Sequence, residues 1–138
     1  MEILNNRRWS TWSSLFFIIP LIFSIKESNF ILTILLLGTI IFSILHHLKK
    51  PSGINWLWDK KSNRLQYLLQ WIDTIFGFTT FFYVFFNILQ QGLTIFTLIK
   101  ITLIFLAVFI LFVPAKRYEA YHGLWHLMAS IAILSFFV

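Results

Sequence analysis

Four histidines are the side chains best able to do chemistry in this chain, and they fall in two groups. His122 and His126 are four apart, which puts both on one face of a helix. Two imidazoles so placed can chelate one metal ion. A third ligand from another helix would leave a fourth position open to water, the pattern of catalytic zinc. His46 and His47 are adjacent in the second group. His47 shares its helix face with Ser43, also four residues away, so His47 is the better third ligand. His46 is turned about 100° from that face, towards lipid headgroups or the loop, and reads as an interfacial residue. The chain contains no cysteine, so any metal must be held by His and carboxylates.

Asp73 and Lys100 are ionisable residues set within apolar runs. Charges at membrane depth are costly and are functional candidates by default. An ion pair between them is the structural alternative for Asp73. Each lies about two turns into its own run, but the two runs enter from opposite membrane surfaces, which argues against a direct contact. Lys100 is expected to snorkel outward or to bond to a neighbouring helix, and it is assigned no role.

The elements that position these residues follow from composition. Hydrophobic residues make up 59% of the 138 and charged residues 12%, against about 25% charge in a soluble domain. Lipid must therefore be the main solvent. Five apolar runs can be read, at residues 9–25, 30–48, 65–89, 93–113 and 119–138, each judged against the roughly 20 residues that cross a bilayer. Backbone groups in hydrocarbon must bond internally, so the runs should be helices. The expectation is an all-α polytopic transmembrane bundle of about five spans, forming one domain over residues 1–138. The first run is short and carries Pro20. With Arg7 and Arg8 before it, this run also looks like a signal peptide. The stretch Ser24-Ile25-Lys26-Glu27-Ser28 lacks the small residues of a cleavage site, which favours a retained helix. Within the connection at residues 49–64, Asn55-Trp56-Leu57-Trp58-Asp59 is an expected interfacial segment.

The net charge of +6 does not point to nucleic acid, because the basic residues lie in short loops beside apolar runs. Arg7, Arg8, Lys49, Lys50, Lys60, Lys61, Arg64, Lys116 and Arg117 fall on one side of a five-span arrangement, and Lys26 on the other. The first side should be cytoplasmic, with the N-terminus inside and the C-terminus outside. The second span ends on that side with Ser43 and His47. The third meets Asp73 about two turns in, and the fifth begins there with His122 and His126. Three helices thus bring the same five residues to similar depth near the cytoplasmic face.

The motifs Ser43-Ile-Leu-His-His47, Asp73 within Trp71-Ile-Asp-Thr-Ile-Phe76, and His122-Gly-Leu-Trp-His126 resemble the signature of the CREST superfamily of membrane hydrolases. That group includes the alkaline ceramidases, the adiponectin-receptor-type proteins and enzymes that remodel the lipid of GPI anchors. The His-x-x-Trp-His form looks most like the last branch. The family has seven spans. The 48 residues between Asp73 and His122 leave room for one intervening helix instead of three, so this chain would be a reduced five-span form with the same parity.

The resemblance implies a zinc-dependent hydrolase of a lipid amide or ester. His47, His122 and His126 would hold Zn²⁺, which lowers the pKa of bound water towards about 7. The resemblance gives Asp73 the part of general base. Ser43 would donate to the water or the oxyanion. The acyl chain would lie among Phe76, Gly77, Thr80 and Phe81. Gly77 reads either as room for that chain or, preferably, as a helix-contact glycine. The expected partners are a membrane lipid substrate and the bilayer, with a second copy of the chain open. Two other classes are a b-type haem protein with two His axial ligands and a non-catalytic receptor with a structural metal.

Overall fold

The computed structural model describes residues 7–49, 64–112 and 118–137. Among them the structure is all-helical apart from short turns at 27–29 and 91–94. The interfacial segment expected around Trp56 and Trp58 lies outside the described residues, as do Lys116 and Arg117. A first rod is made of α1 (Arg7–Ser13), a 3-10 turn (Ser14–Phe17) and α2 (Ile18–Lys26). It is followed by α3 (Phe30–Lys49), α4 (Arg64–Gln90), α5 (Ile95–Phe112) and α6 (Tyr118–Leu134), which ends in a 3-10 turn (Ser135–Phe137). Each apolar run read from the sequence coincides with a helical rod, with ends shifted by no more than two residues.

The break in the first rod has a chemical cause. Pro20 has no N–H to offer the carbonyl of Phe16, one turn earlier. The Ser130 hydroxyl of α6 donates to that carbonyl instead, at 2.8 Å. The turns are equally specific. Asn29 caps α3 by accepting from the Leu32 amide at 3.1 Å, and it also accepts from the Tyr83 hydroxyl at 3.0 Å. Between α4 and α5 Gly92 takes φ 85°, a left-handed conformation suited to glycine. Thr94 then caps α5 through the Thr97 amide at 3.1 Å.

Two helices, Phe30–Leu48 and Arg64–Gln90, are long and apolar enough to cross a membrane. Thr11–Lys26, Ile95–Ile110 and Tyr121–Phe137 are shorter apolar stretches. The distribution of polarity is inverted relative to a water-soluble bundle. Phe30, Leu93, Ile95, Phe96 and Phe109 are largely exposed, whereas Ser13, Ser14, Ser24, Ser43, His47 and His126 are fully buried. An apolar cluster that includes Phe17, Leu36, Val84, Ile88, Ile104 and Ile133 joins all five rods.

α3 packs between the first rod and α4, while α6 packs between the first rod and α5. Two glycines permit the closest approaches. The Phe76 ring of α4 lies where a Cβ on Gly38 of α3 would be. The Trp9 indole of α1 occupies the same position over Gly123 of α6. The first rod is thereby drawn into the groove between α3 and α6.

Candidate metal centre

α3 and α6 present their one-turn pairs to the same interior space. Ser43 and His47 are fully buried on α3; His126 is fully buried and His122 nearly so on α6. A ring nitrogen from each of His47, His122 and His126 lies within 4.8 Å of the others. The closest pair is His47 Nε2 and His122 Nε2, 2.9 Å apart. The rings stand edge to face, with centroids at 4.7 Å for His47–His122, 4.6 Å for His122–His126 and 5.6 Å for His47–His126.

This arrangement suits a metal ion. Zinc–nitrogen bonds of 2.0–2.1 Å in a tetrahedron put the ligand nitrogens roughly 3.3 Å apart. The His47–His122 spacing of 2.9 Å is close to that value, and a His126 nitrogen lies within 4.8 Å of both. An all-imidazole donor set accepts zinc, copper, iron or nickel.

Hydroxyl groups from the first rod hold this cluster. Ser13 Oγ lies 2.8 Å from His126 Nδ1. Ser14 Oγ donates to Ser43 Oγ at 3.0 Å. Ser43 Oγ in turn lies 3.4 Å from His126 Nε2, long for a hydrogen bond. On α4 the Asp73 carboxyl is turned towards the Ser43 hydroxyl. Ser43 therefore stands between the histidines and the carboxylate, and its proton is free to point at either because Ser14 supplies the bond it accepts.

Comparison of the chain with protein-family models, curated proteins and solved structures finds no match.

Asp73, His46 and His122 line a cavity of about 100 Å³ bounded by α3, α4, α5 and α6, with Phe17 of the first rod at its edge. A water molecule needs roughly 10–15 Å³ of such space, so several fit. Away from the polar end, the walls are apolar: Phe78, Phe81 and Val84 on α4, Ile104 on α5, and Ala129 and Ile133 on α6.

Three sequence expectations are corrected here. His46 does not face headgroups or the loop. It is 6% exposed, edge-on to His47 at 5.0 Å, and forms part of the cavity wall. The rotation away from His47 turns it inward because α3 has neighbours on two sides, the first rod and α4. Gly77 is not a helix-contact glycine. A Cβ there would meet Trp125 at an ordinary 3.8 Å, and Gly77 opens onto the cavity. Phe76 is absent from the cavity wall because it is spent on helix packing: it fills the Gly38 notch and stacks on Phe42 at 5.3 Å. Lys100 bonds to Gln91 at 3.2 Å, beside the α4–α5 turn, and not to Asp73.

Sequence reasoning missed Ser13 and Ser14. Neither serine is ionisable, and two adjacent serines carry no spacing that names a target. Their position inside a short apolar run was the available signal.

Proposed function

We propose that this chain is an integral membrane, metal-dependent hydrolase of a lipid amide or ester, with its site near the cytoplasmic face. The observation that carries the reading is the convergence of three buried histidines from α3 and α6 beside a cavity whose wall also holds Asp73 of α4. The likeness of the Ser43, Asp73 and His122–His126 motifs to the CREST pattern supports it. An apolar exterior around polar, hydroxyl-rich helix contacts supports five membrane spans.

His47, His122 and His126 would hold the metal, with zinc the ion the reading favours. Bound there, it would supply a Lewis acid that polarises the scissile carbonyl and activates water. Asp73 faces the same space and takes the proton of the attacking water on its carboxylate, then returns it to the leaving group. Ser43, accepting from Ser14, directs its own proton to the developing oxyanion or to Asp73. His46 stands in the wall beside them. The acyl chain lies along Gly77, Thr80 and Phe81 towards Ile133.

Protein purified in detergent without added metal should contain about one zinc per chain by elemental analysis. Incubated with a panel of ceramides, phospholipids and acylated glycolipids, it should release a fatty acid from at least one. Protein without metal, or metal-loaded protein inert on every lipid amide and ester tried, would sink the proposal. A Soret band would replace it with the haem reading.

A further inference from the structure

We infer that Ser13 is the positioning residue of the metal centre, fixing the tautomer and ring orientation of His126 from the first helical rod. The inference rests on the metal-site reading and assigns a function to a segment that none of the three motifs contains.

A neutral imidazole carries one N–H and one lone pair, and the bond made by one nitrogen decides which is which. Ser13 Oγ lies 2.8 Å from His126 Nδ1, and both residues are completely buried. When Ser13 accepts from Nδ1–H, Nε2, which lies on the Ser43 side of the ring, keeps the lone pair and is the nitrogen left to bind a metal. When no acceptor stands there, the tautomer with its proton on Nε2 competes, and that form does not offer Nε2 to a metal. Metal-ligating histidines ordinarily have such a partner on the second nitrogen, and its loss weakens metal binding about 10–100-fold.

The placement of Ser13 is built and not incidental. Trp9, one turn before it, seats on Gly123 of α6, where only a glycine leaves room. One residue later, Ser14 reaches the opposite wall and donates to Ser43 of α3. The rod therefore grips α6 through Trp9 and Ser13 and α3 through Ser14. Phe17 completes the contact with its ring edge-on to His126 at 5.6 Å.

A matched control exists in the same interface. Ser130, one turn beyond His126, also ties the first rod to α6 with a hydroxyl, but it donates to the Phe16 carbonyl and not to a histidine. The full chain in detergent is titrated with zinc against a chromophoric chelator, and loaded separately with Co²⁺ to read the visible d–d bands. Ser13→Ala should weaken zinc about 10–100-fold and change the cobalt bands. Ser130→Ala should lower the melting temperature and leave both metal readouts as in the wild type. Ser13→Thr keeps the acceptor oxygen and should retain zinc, which also covers the case of a poorly folded alanine variant. Wild-type zinc affinity in Ser13→Ala, or an equal loss in Ser130→Ala, overturns the inference while leaving the metal site standing. A folded Ser13→Thr that loses zinc counts against it as well. A wild-type chain that binds no zinc overturns this inference and the proposed function together.

Discussion

His47 and His122 meet nitrogen to nitrogen at 2.9 Å across two helices, although 75 residues separate them in the chain. One imidazole must be the donor and the other the acceptor, so at least one ring of the pair is neutral, since two imidazoliums would have no lone pair to offer. Neutral imidazole is also the metal-binding form. The joint between α3 and α6 and the proposed ligand set are thus the same atoms.

Removing one member of that set should therefore be decisive. His126→Ala leaves two protein ligands and should lose most of the zinc measured by elemental analysis of purified protein, because two ligands hold zinc poorly. His126→Ala that keeps a full complement of metal would mean that the ion sits elsewhere.

His46→Ala separates the two adjacent histidines. His46 touches His47 but is not one of the three converging rings. Zinc should stay near one per chain, while the melting temperature falls because a buried side chain is removed. Loss of metal in His46→Ala together with retention in His47→Ala would reverse the assignment.

How far the site could be read in advance depended on the kind of signal. The four-residue spacings on α3 and α6 set Ser43, His47, His122 and His126 on shared faces, and depth along each run brought the two helices level. Those are properties of a single helix and its direction, and they survive into the structure. The position of His46 was not legible, because whether a face turned 100° from His47 meets lipid or α4 depends on which helices are neighbours. Gly38 and Gly123 were equally silent: a glycine in an apolar run looks the same whether an aromatic ring seats on it or a cavity opens beside it, as at Gly77. The 3-10 turn of the first rod follows from Pro20, but the Ser130 hydroxyl that satisfies Phe16 lies 114 residues away.

The Gly38 notch yields a stability prediction. A Cβ at this position would run into the Phe76 ring, which is also stacked on Phe42 and has little freedom to move. Gly38→Ala should destabilise the protein by about 1–3 kcal/mol, the usual cost of overpacking, seen as a lower melting temperature in detergent. In a Phe76→Leu background the same substitution should cost less. Equal costs in both backgrounds would show that the notch does not govern the α3–α4 contact.

Orientation is tested by reporter fusions. A fusion within residues 50–63 should read cytoplasmic and one after Val138 should read outside, as the distribution of Lys and Arg requires for five spans. A cytoplasmic C-terminus would imply an even number of spans and would undo the depth argument that first grouped the histidines with Asp73.

Asp73 allows catalysis to be separated from metal binding. It comes from α4, not from either ligand-bearing helix, and its carboxyl is turned to Ser43 while the three histidines converge on one another. Asp73→Asn keeps the size of the side chain and can still hydrogen-bond with Ser43, but it cannot accept a proton. Zinc content and melting temperature should stay as in the wild type, and hydrolysis of the best lipid amide or ester should fall by roughly 10²–10⁴-fold, the usual weight of a general base. Ser43→Ala should cost less, because a bound metal also stabilises the oxyanion. Zinc lost from Asp73→Asn would make Asp73 a fourth ligand and the site a closed, structural one. Full activity would mean that the proton is taken by another group in the cavity wall, and His46 would be the next residue to substitute.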